Sequence, residues 1–377
     1  MITRRQMLGS AGAAVAAPLF AWPGHGMCQG ATGADKPPAA GPWRMPDEGE
    51  RHARTWMAFG AQADIWGERL LPEVQRNLAD LARVIAQYEP VSMLVRRQDR
   101  ALAQGLLRGA DVALIDAALD DLWMRDTGPT FVVGPGVPAQ RAGVQFNFNG
   151  WGNKQAHAND ARVAGQVAAL ASVPVLRTSL VMEGGCIEVD GQGTAIVTES
   201  CVLNDNRNPG LRKAACEAEL RRLLGVTRVI WLPGIRGQDI TDGHTDFYAR
   251  FAKPGVVLAG LDPDPQSYDH AVTKTHLQIL RQATDAHGRR LEVVVLQAPT
   301  SVSDRYASAS FAAGYIGFYL CNGALIAQKF GDVKADAAAR KLLQQAFPGR
   351  VVEQLRIDAI AAGGGSVHCA TQQEPAV

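Results

Sequence analysis

A glycine-rich segment at residues 363–369, GGGSVHC, carries the most distinctive candidate for chemistry in the chain. Three consecutive glycines have no side chains to bury, so they suit a backbone that takes positive φ or passes close to another group. Cys369 follows the polar Ser366 and His368, and a thiolate needs access and polar neighbours to form near neutral pH. We therefore treat Cys369 as a candidate nucleophile. The alternative is a small buried hydrophobic cysteine, as most free cysteines are.

A second stretch, DITDGHTD at residues 239–246, brings a histidine and carboxylates together. His244 and Asp246 are two positions apart, so in a strand both side chains would point to the same face. Such a pair can divide proton transfer and cation binding between its members. A metal pair is a competing interpretation, but no third ligand with suitable spacing is in sight. A polar turn with satisfied hydrogen bonds is the other alternative.

Residues 121–129, DLWMRDTGP, place several polar groups where a predicted strand ends. Sites on ring-like and α/β scaffolds usually lie at such positions. A structural turn with an internal ion pair would explain Arg125, but it explains Trp123 beside Asp126 less well. This stretch is therefore a third candidate part of a site.

Two glycine-containing loops complete the set. In residues 148–154, two glycines bracket Trp151, which is either a loop anchor packed on the domain or a wall of a ligand pocket. In residues 182–185, Glu183 precedes two glycines at the head of a predicted strand, where a bulge is the alternative reading. Both loops are candidate parts of a site.

Taken together, these stretches predict one kind of chemistry. They supply a cysteine nucleophile, a histidine and two or three carboxylates, which suits attack on a carbon inside a substrate cation. Guanidinium fits, because it is planar and carries five donors in a fork that carboxylates bind bidentately. Each such charge-assisted hydrogen bond is worth about 1.5 to 3 kcal/mol. Two carboxylates would both orient the group and offset its desolvation.

The composition is that of a globular chain. It has 377 residues, of which 47% are hydrophobic and 20% charged, enough for one large domain or two smaller ones. A formal net charge of +1 gives no electrostatic reason to expect nucleic acid or a membrane surface as a partner. The six cysteines include no C-x-x-C pair and no Cys/His cluster at zinc spacing, so we expect no structural metal. Neither glycine motif of nucleotide-binding proteins is present.

The hydrophobic pattern alternates between strands and helices, which predicts an α/β fold. From residue 131 onward the order strand, strand, helix, strand recurs several times. This repetition favours a ring of similar modules over one open sheet. The predicted helices span residues 71–88, 100–107, 160–171, 211–224, 268–284 and 335–346.

The first residues resemble a twin-arginine export signal. The sequence TRRQML at residues 3–8 precedes a small-residue and apolar run at 9–22, and no later segment is long and apolar enough to span a bilayer. We expect a signal peptide at 1–30, a linker rich in Gly, Ala and Pro at 31–44 and one domain at 45–377. The protein would be periplasmic or secreted, without stable membrane association. A basic disordered tail is the alternative.

Six ordered motifs resemble those of the agmatine deiminase and bacterial peptidylarginine deiminase family. The resemblance runs from about residue 46 to residue 375, nearly all of the expected domain. It implies the pentein fold, a five-bladed α/β propeller of ββαβ repeats around a central site, which agrees with the repeated modules. The motifs are D-x-W-x-R-D-x-G-P at 121–129, N-G-W-G at 149–152, E-G-G at 183–185, L-N-x-N-R-N-P at 203–209, T-D-G-H-x-D at 241–246 and G-G-G-x-x-H-C at 363–369.

The resemblance implies a role for each motif. Cys369 would attack the guanidinium carbon, and His244 would protonate the departing ammonia and then activate water. Asp126 and Asp246 would bind the guanidinium nitrogens, while Glu183 would support His244 or the substrate. No cofactor and no metal are implied. The candidate substrate-binding residues are Trp123, Trp151, Asp242, Gly364 and Gly365.

The implied reaction converts agmatine, or a similar alkylguanidine, to a ureido product and ammonia through a covalent amidino-cysteine intermediate. One alternative is an exported enzyme that converts arginine residues of peptides to citrulline, and another is a guanidine-binding protein without turnover. A papain-like protease is disfavoured, because Cys369 follows its histidine and lacks that family's local signature.

Three departures from the usual agmatine enzymes bear on substrate choice and leave the catalytic set intact. They are the export signal, the sequence ERHAR at 50–54 and Phe247 after Asp246. The expected partner is a small guanidinium compound or an arginine peptide, not nucleic acid. Whether the chain forms a homo-oligomer stays open.

Overall fold

The computed structural model describes residues 2–3, 42–136, 139–308 and 310–377. Most of the expected signal peptide and linker therefore lies outside the described residues. Within them, five sheets repeat one arrangement, in which two antiparallel strands precede a helix and a third strand returns parallel to the second. Residues Ile2–Thr3 pair separately with Ser301–Val302. The predicted α/β class is confirmed.

Four of the modules are continuous in sequence, and each follows the order strand, strand, helix, strand. In the module that contains helix Lys213–Leu224, Leu220 and Leu223 of the helix belong to one buried cluster with Val197 of the sheet. The apolar face of this helix is therefore covered by its own module. The four modules are Thr130–Gly134, Gln140–Gln145, Val163–Leu170 and Val175–Arg177; Ile187–Val189, Thr194–Thr198, Lys213–Leu224 and Arg228–Leu232; Ala249–Lys253, Val256–Leu261, Tyr268–Gln282 and Glu292–Gln297; Tyr319–Cys321, Ala324–Gln328, Val333–Ala346 and Val351–Leu355.

The fifth module joins the two ends of the described domain. The sequence did not predict its strand at Gln372–Pro375, because Gln, Glu and Pro are poor strand formers. That strand pairs antiparallel with His52–Phe59, at one edge of the sheet. The rest of the module consists of helix Ala63–Ile85, strand Val91–Val95, helix Arg100–Leu106 and a fourth, parallel strand Val112–Asp116.

The long helix of this module begins at Ala63, eight residues before the predicted start at residue 71. Gly67 and Pro72 are residues that usually interrupt a helix, so the sequence pattern favours a helix that begins near them. In the structure Gly67 takes a φ of 66° and kinks the helix, and Pro72 lies inside it near its beginning. The other helix ends agree with the predictions within one to three residues.

Short helical turns directly precede the first strand in four of the modules. They carry or adjoin Asp126, Glu183, His244, Asp246 and Cys369. His244 and Asp246 therefore do not lie in a strand, the condition under which the sequence put them on one face; a helical turn brings the two side chains together. The turns are Met124–Thr127, Gly184–Cys186, Thr245–Phe247 and His368–Ala370.

A buried network of charges ties these turns to the centre of the fold. The Glu48 carboxylate lies 3.0 Å from Arg125 Nη2, 2.8 Å from Arg250 Nη2 and 2.9 Å from His368 Nε2. His368 Nδ1 in turn lies 2.7 Å from Asp246 Oδ2. Arg125 thus pairs with a distant residue and not within its own turn. Burial opposes ionisation of Glu48, but the charges of Arg250, His368 and Arg125 hold its pKa well below the usual range.

Replacing Glu48 with alanine is expected to destabilise the fold by about 3 to 5 kcal/mol, because it removes the carboxylate that two buried guanidinium groups share. The matched control is Glu50→Ala, since Glu50 pairs with Arg44 and both side chains are about two-fifths exposed. That change should cost under about 1 kcal/mol. Urea unfolding of both variants measures the free energies, and equal losses would contradict a central role for Glu48.

No helix within the described residues is long and apolar enough to cross a lipid bilayer.

Candidate active site

A cavity of about 330 Å³ lies where the helical turns meet. Cys369, His244 and Asp126, which come from three different modules, all line it. Trp151 lines it too, so this tryptophan forms a wall of the cavity. The remaining lining includes Ile65, Trp66, Leu70, Trp123, Ile240, Phe247, Gly363, Gly364 and Gly365.

Cys369 belongs to a buried apolar cluster, but its thiol also lies near polar groups. Its Sγ is 3.6 Å from Ser366 Oγ and 3.8 Å from Asp246 Oδ2, and the residue is 5% exposed. Burial raises the pKa of the thiol well above its usual range, and the negative charges of Asp246 and Asp126 raise it further. In the ligand-free protein Cys369 is therefore a neutral thiol at pH 7.

The reactivity of Cys369 should consequently rise with pH. Alkylation by iodoacetamide requires the thiolate, so its rate is expected to increase about tenfold per pH unit between pH 7 and pH 9 without levelling off. Mass spectrometry of the peptide that contains Cys369, after timed labelling at several pH values, measures this rate separately from the other cysteines. A plateau below pH 8 would show that the thiol pKa is not raised.

Two carboxylates lie near the thiol and the imidazole: Asp126 lines the cavity, and Asp246 lies beside Cys369. Asp126 accepts hydrogen bonds from Trp151 Nε1 at 3.0 Å and from the Gly185 backbone at 3.2 Å. Asp246 Oδ2 is held by His368, whereas the buried Oδ1 has no hydrogen-bond partner among the described residues. A buried carboxylate oxygen without a donor is costly. A ligand with N–H groups would supply the missing donor.

His244 lies between these carboxylates and Glu183. Its Nδ1 is 3.8 Å from Asp126 Oδ1 and 4.0 Å from Asp246 Oδ1, and its Nε2 is 3.2 Å from Glu183 Oε2. Burial disfavours the imidazolium, but the Asp126 charge and the hydrogen bond with Glu183 outweigh it and raise the pKa of His244 well above its usual range. His244 can therefore hold a proton beside Cys369 at neutral pH.

Glu183 stays ionised beneath the imidazole. Burial acts to raise its pKa, yet Arg207 and His244 lower it to about 2. Arg207 Nε donates to both carboxylate oxygens, at 2.9 and 3.0 Å. A side chain on Gly185 would collide with His244 Nδ1, since a Cβ there would lie 2.4 Å from that atom. The E-G-G motif thus provides both the anion and the space that His244 needs.

The glycine triplet forms a wall for two indole rings. A Cβ on Gly363 would lie 2.2 Å from the Trp66 ring, and one on Gly365 would lie 2.0 Å from the Trp123 ring. Both indoles donate to Asp121, at 2.7 and 3.0 Å. The glycines therefore allow two aromatic side chains to lie flat against the backbone next to Cys369.

Asp242 lies elsewhere than the other four residues predicted to bind substrate. Trp123, Trp151, Gly364 and Gly365 line the cavity, but Asp242 does not. Its carboxylate is 3.0 Å from Arg207 Nη1, 2.7 Å from Lys154 Nζ and 3.0 Å from Asn206 Nδ2. Because these groups already engage it, Asp242 supports the loop that carries His244.

Sequence reasoning missed several residues that hold the site. Glu48, His368, Arg207 and Trp66 orient the side chains at the cavity, although only Trp66 lines it. Arg207 belongs to the L-N-x-N-R-N-P motif, which was a signal without an assigned role. Glu48 gave no signal, since its partners lie up to 320 positions away.

Comparisons with known proteins agree on one relationship. The family model described as Porphyromonas-type peptidyl-arginine deiminase matches residues 44–375. A relative from Streptomyces coelicolor is 43% identical over 342 residues, which cover 88% of this chain and 99% of the relative. The agmatine deiminase of Stutzerimonas stutzeri is 36% identical, with coverage of 88% and 95%. The solved agmatine deiminase of Enterococcus faecalis superposes with a TM-score of 0.82 at 31% identity, covering 89% of this chain and 96% of that one.

Proposed function

Because this chain belongs to the Porphyromonas-type peptidyl-arginine deiminase family, we propose that it is a hydrolase that deiminates the guanidinium group of agmatine or a similar alkylguanidine. The products are the corresponding ureido compound, N-carbamoylputrescine from agmatine, and ammonia. The observation that carries this proposal is the meeting of the Cys369 thiol and the His244 imidazole at one cavity, with the unpartnered Asp246 Oδ1 4.0 Å from His244 Nδ1.

Binding precedes the chemistry. The guanidinium lies between Asp126 and Asp246 and donates to both carboxylates, including Asp246 Oδ1. Its positive charge offsets the two negative charges that keep Cys369 protonated. The bound substrate therefore lowers the pKa of the thiol that attacks it, and the thiol proton is released to solvent. The indole rings of Trp123 and Trp151 form walls of the cavity around the guanidinium group.

The Cys369 thiolate adds to the guanidinium carbon and gives a neutral tetrahedral adduct. The His244 imidazolium then transfers a proton to one amino nitrogen, the C–N bond breaks and ammonia leaves, so that a cationic amidino-thioether remains on Cys369. Neutral His244 next takes a proton from water, and the resulting hydroxide adds to the same carbon. The C–S bond breaks, the thiolate is regenerated and the ureido product leaves after losing its extra proton.

The cavity size supports a small substrate. At about 330 Å³ it is at the lower end of the range of small-molecule pockets. It would accommodate an alkylguanidine as a whole, whereas the main chain of an arginine peptide would have to remain outside. The peptide reaction uses the same catalytic residues, so it is the appropriate rival in an assay.

Side-by-side measurement of ammonia release from agmatine, free arginine and a peptide with an internal arginine tests the proposal. We expect the highest kcat/KM for agmatine. The peptide as the best substrate would support the peptidylarginine reaction instead. No ammonia from any of the three, with Cys369 reduced, would refute guanidine deimination.

We also propose that the five modules form the five-bladed α/β propeller of the pentein fold. The shared strand order of the five sheets and the convergence of three helical turns on one cavity support this arrangement. An experimental structure in which the five sheets do not surround the cavity would contradict it.

Export through the twin-arginine route is a separate proposal. It rests on the sequence TRRQML at residues 3–8 and the small, apolar run that follows. We expect the full chain in the periplasmic or secreted fraction and a variant with Arg4→Lys and Arg5→Lys in the cytoplasm. Immunoblotting of the fractions decides, and unchanged distribution of the variant would contradict this route.

A further inference from the structure

Two cysteines that the deiminase reaction does not use lie directly behind His244. Cys186 Sγ and Cys201 Sγ are 2.8 Å apart, and they lie 2.8 and 3.6 Å from Glu183 Oε2. His244 Nε2 approaches the same oxygen at 3.2 Å. We call Glu183, Cys186, Cys201 and His244 the thiol–imidazole cluster. Its four potential ligand atoms all lie within 4.8 Å of one another, and all four residues are buried.

The ligand types and their charges suit a thiophilic divalent cation. Two thiolates, one imidazole and one carboxylate are the donors that Zn²⁺ uses in tetrahedral sites. With Zn–S bonds of about 2.3 Å, two coordinated sulfurs lie about 3.8 Å apart, so Cys186 and Cys201 would separate by about 1 Å. The charges of Zn²⁺, two thiolates and the Glu183 carboxylate sum to minus one. The adjacent guanidinium of Arg207, which contacts Glu183, makes the assembly neutral.

We propose that the thiol–imidazole cluster is an inhibitory binding site for zinc or a similar thiophilic divalent metal. The cation bonds to Cys186 Sγ, Cys201 Sγ, His244 Nε2 and one Glu183 oxygen, and the two thiol protons and the Nε2 proton of the His244 imidazolium are released to solvent. Sequence spacing did not predict this site, because His244 joins the cysteines from a different module. Arg207 then serves as the neutralising neighbour of the filled site.

The effect on turnover follows from the two nitrogens of one imidazole, and this step rests on the proposed deiminase function. A metal on Nε2 leaves Nδ1 as a permanent N–H donor facing Asp126 and Asp246. The ring can then neither take up a second proton nor act as a base toward water. Zinc therefore stops the reaction from behind the catalytic histidine, without contact with the substrate.

Metal binding is tested first in the full chain carrying Cys369→Ala, so that the nucleophile cannot supply a thiolate. After reduction and removal of the reductant, Co²⁺ serves as a spectroscopic probe and Zn²⁺ is quantified by elemental analysis. We expect one equivalent of metal and near-ultraviolet thiolate-to-cobalt charge-transfer bands. Both should be absent when Cys186→Ser is added. Binding without those bands, or equal binding in both proteins, would overturn the site.

Inhibition is tested in the chain that retains Cys369. We expect zinc to inhibit agmatine hydrolysis reversibly, with recovery on chelation. Cys186→Ser should keep the zinc-free activity and need at least about tenfold more zinc for half-inhibition. Equal inhibition of the two proteins would assign the zinc effect to Cys369 and overturn the proposal. Absence of turnover on every guanidine would refute the deiminase function alone, since the cobalt spectra do not depend on it.

Discussion

Replacing Cys369 with alanine is expected to lower kcat for ammonia release by at least about 10⁴-fold, because no other group can form the covalent intermediate. Asp126, Asp246 and His244 remain in place, so the variant should still bind the guanidinium substrate. Calorimetry on the variant measures binding, and the ammonia assay measures turnover. In the unaltered chain, rapid acid quenching during turnover should yield Cys369 with the added mass of the substrate less ammonia.

The matched control is Cys216→Ala, since Cys216 is equally buried but lies in helix Lys213–Leu224, away from the cavity. That variant should keep nearly full activity. An active Cys369→Ala protein would refute the covalent mechanism. A fully inactive parent chain that nevertheless binds agmatine would favour the guanidine-binding protein without turnover.

Replacing His244 with glutamine should lower kcat by roughly 10³-fold, the usual contribution of a positioned acid–base group. Glutamine retains hydrogen-bonding capacity toward Glu183 but cannot carry a proton to the departing nitrogen. The first half of the reaction needs that proton, so ammonia release within the first turnover should slow to the same degree. Stopped-flow or quenched-flow measurement of a single turnover checks this.

His276 provides the control, because it is equally buried but lacks carboxylate neighbours, and burial alone lowers its pKa to about 4. His276→Gln should change kcat by less than about threefold if the catalytic effect belongs to the charged surroundings of His244. Similar losses of kcat in both variants would indicate that His244→Gln loses activity because its fold is disturbed, and not because proton transfer is lost.

The chemistry was predictable from residue types because each motif contains few other side chains that could act as nucleophile, acid or base. Cys369 follows three glycines, and His244 and Asp246 share one short turn. Repetition of strand, strand, helix and strand likewise predicted modular architecture. The local shape of the His244 turn was not predictable, since a spacing of two fits a strand and a tight helical turn alike.

Long-range partners were not predictable in the same way. Glu48 meets Arg125, Arg250 and His368 only after the modules have assembled, and no short pattern records such contacts. The strand at Gln372–Pro375 escaped prediction because pairing with His52–Phe59 stabilises it, not its own residue types. Asp242 carries a charge typical of a binding residue, but Arg207 and Lys154 already neutralise it.

The edge strand at Gln372–Pro375 has a consequence for biosynthesis. The ribosome makes His52–Phe59 early, but its antiparallel neighbour Gln372–Pro375 is translated more than three hundred codons later. Cys369 emerges just ahead of that neighbour, so the thiol reaches its working position only as the sheet is completed. A nascent polypeptide therefore carries no deiminase activity before all five modules have been translated.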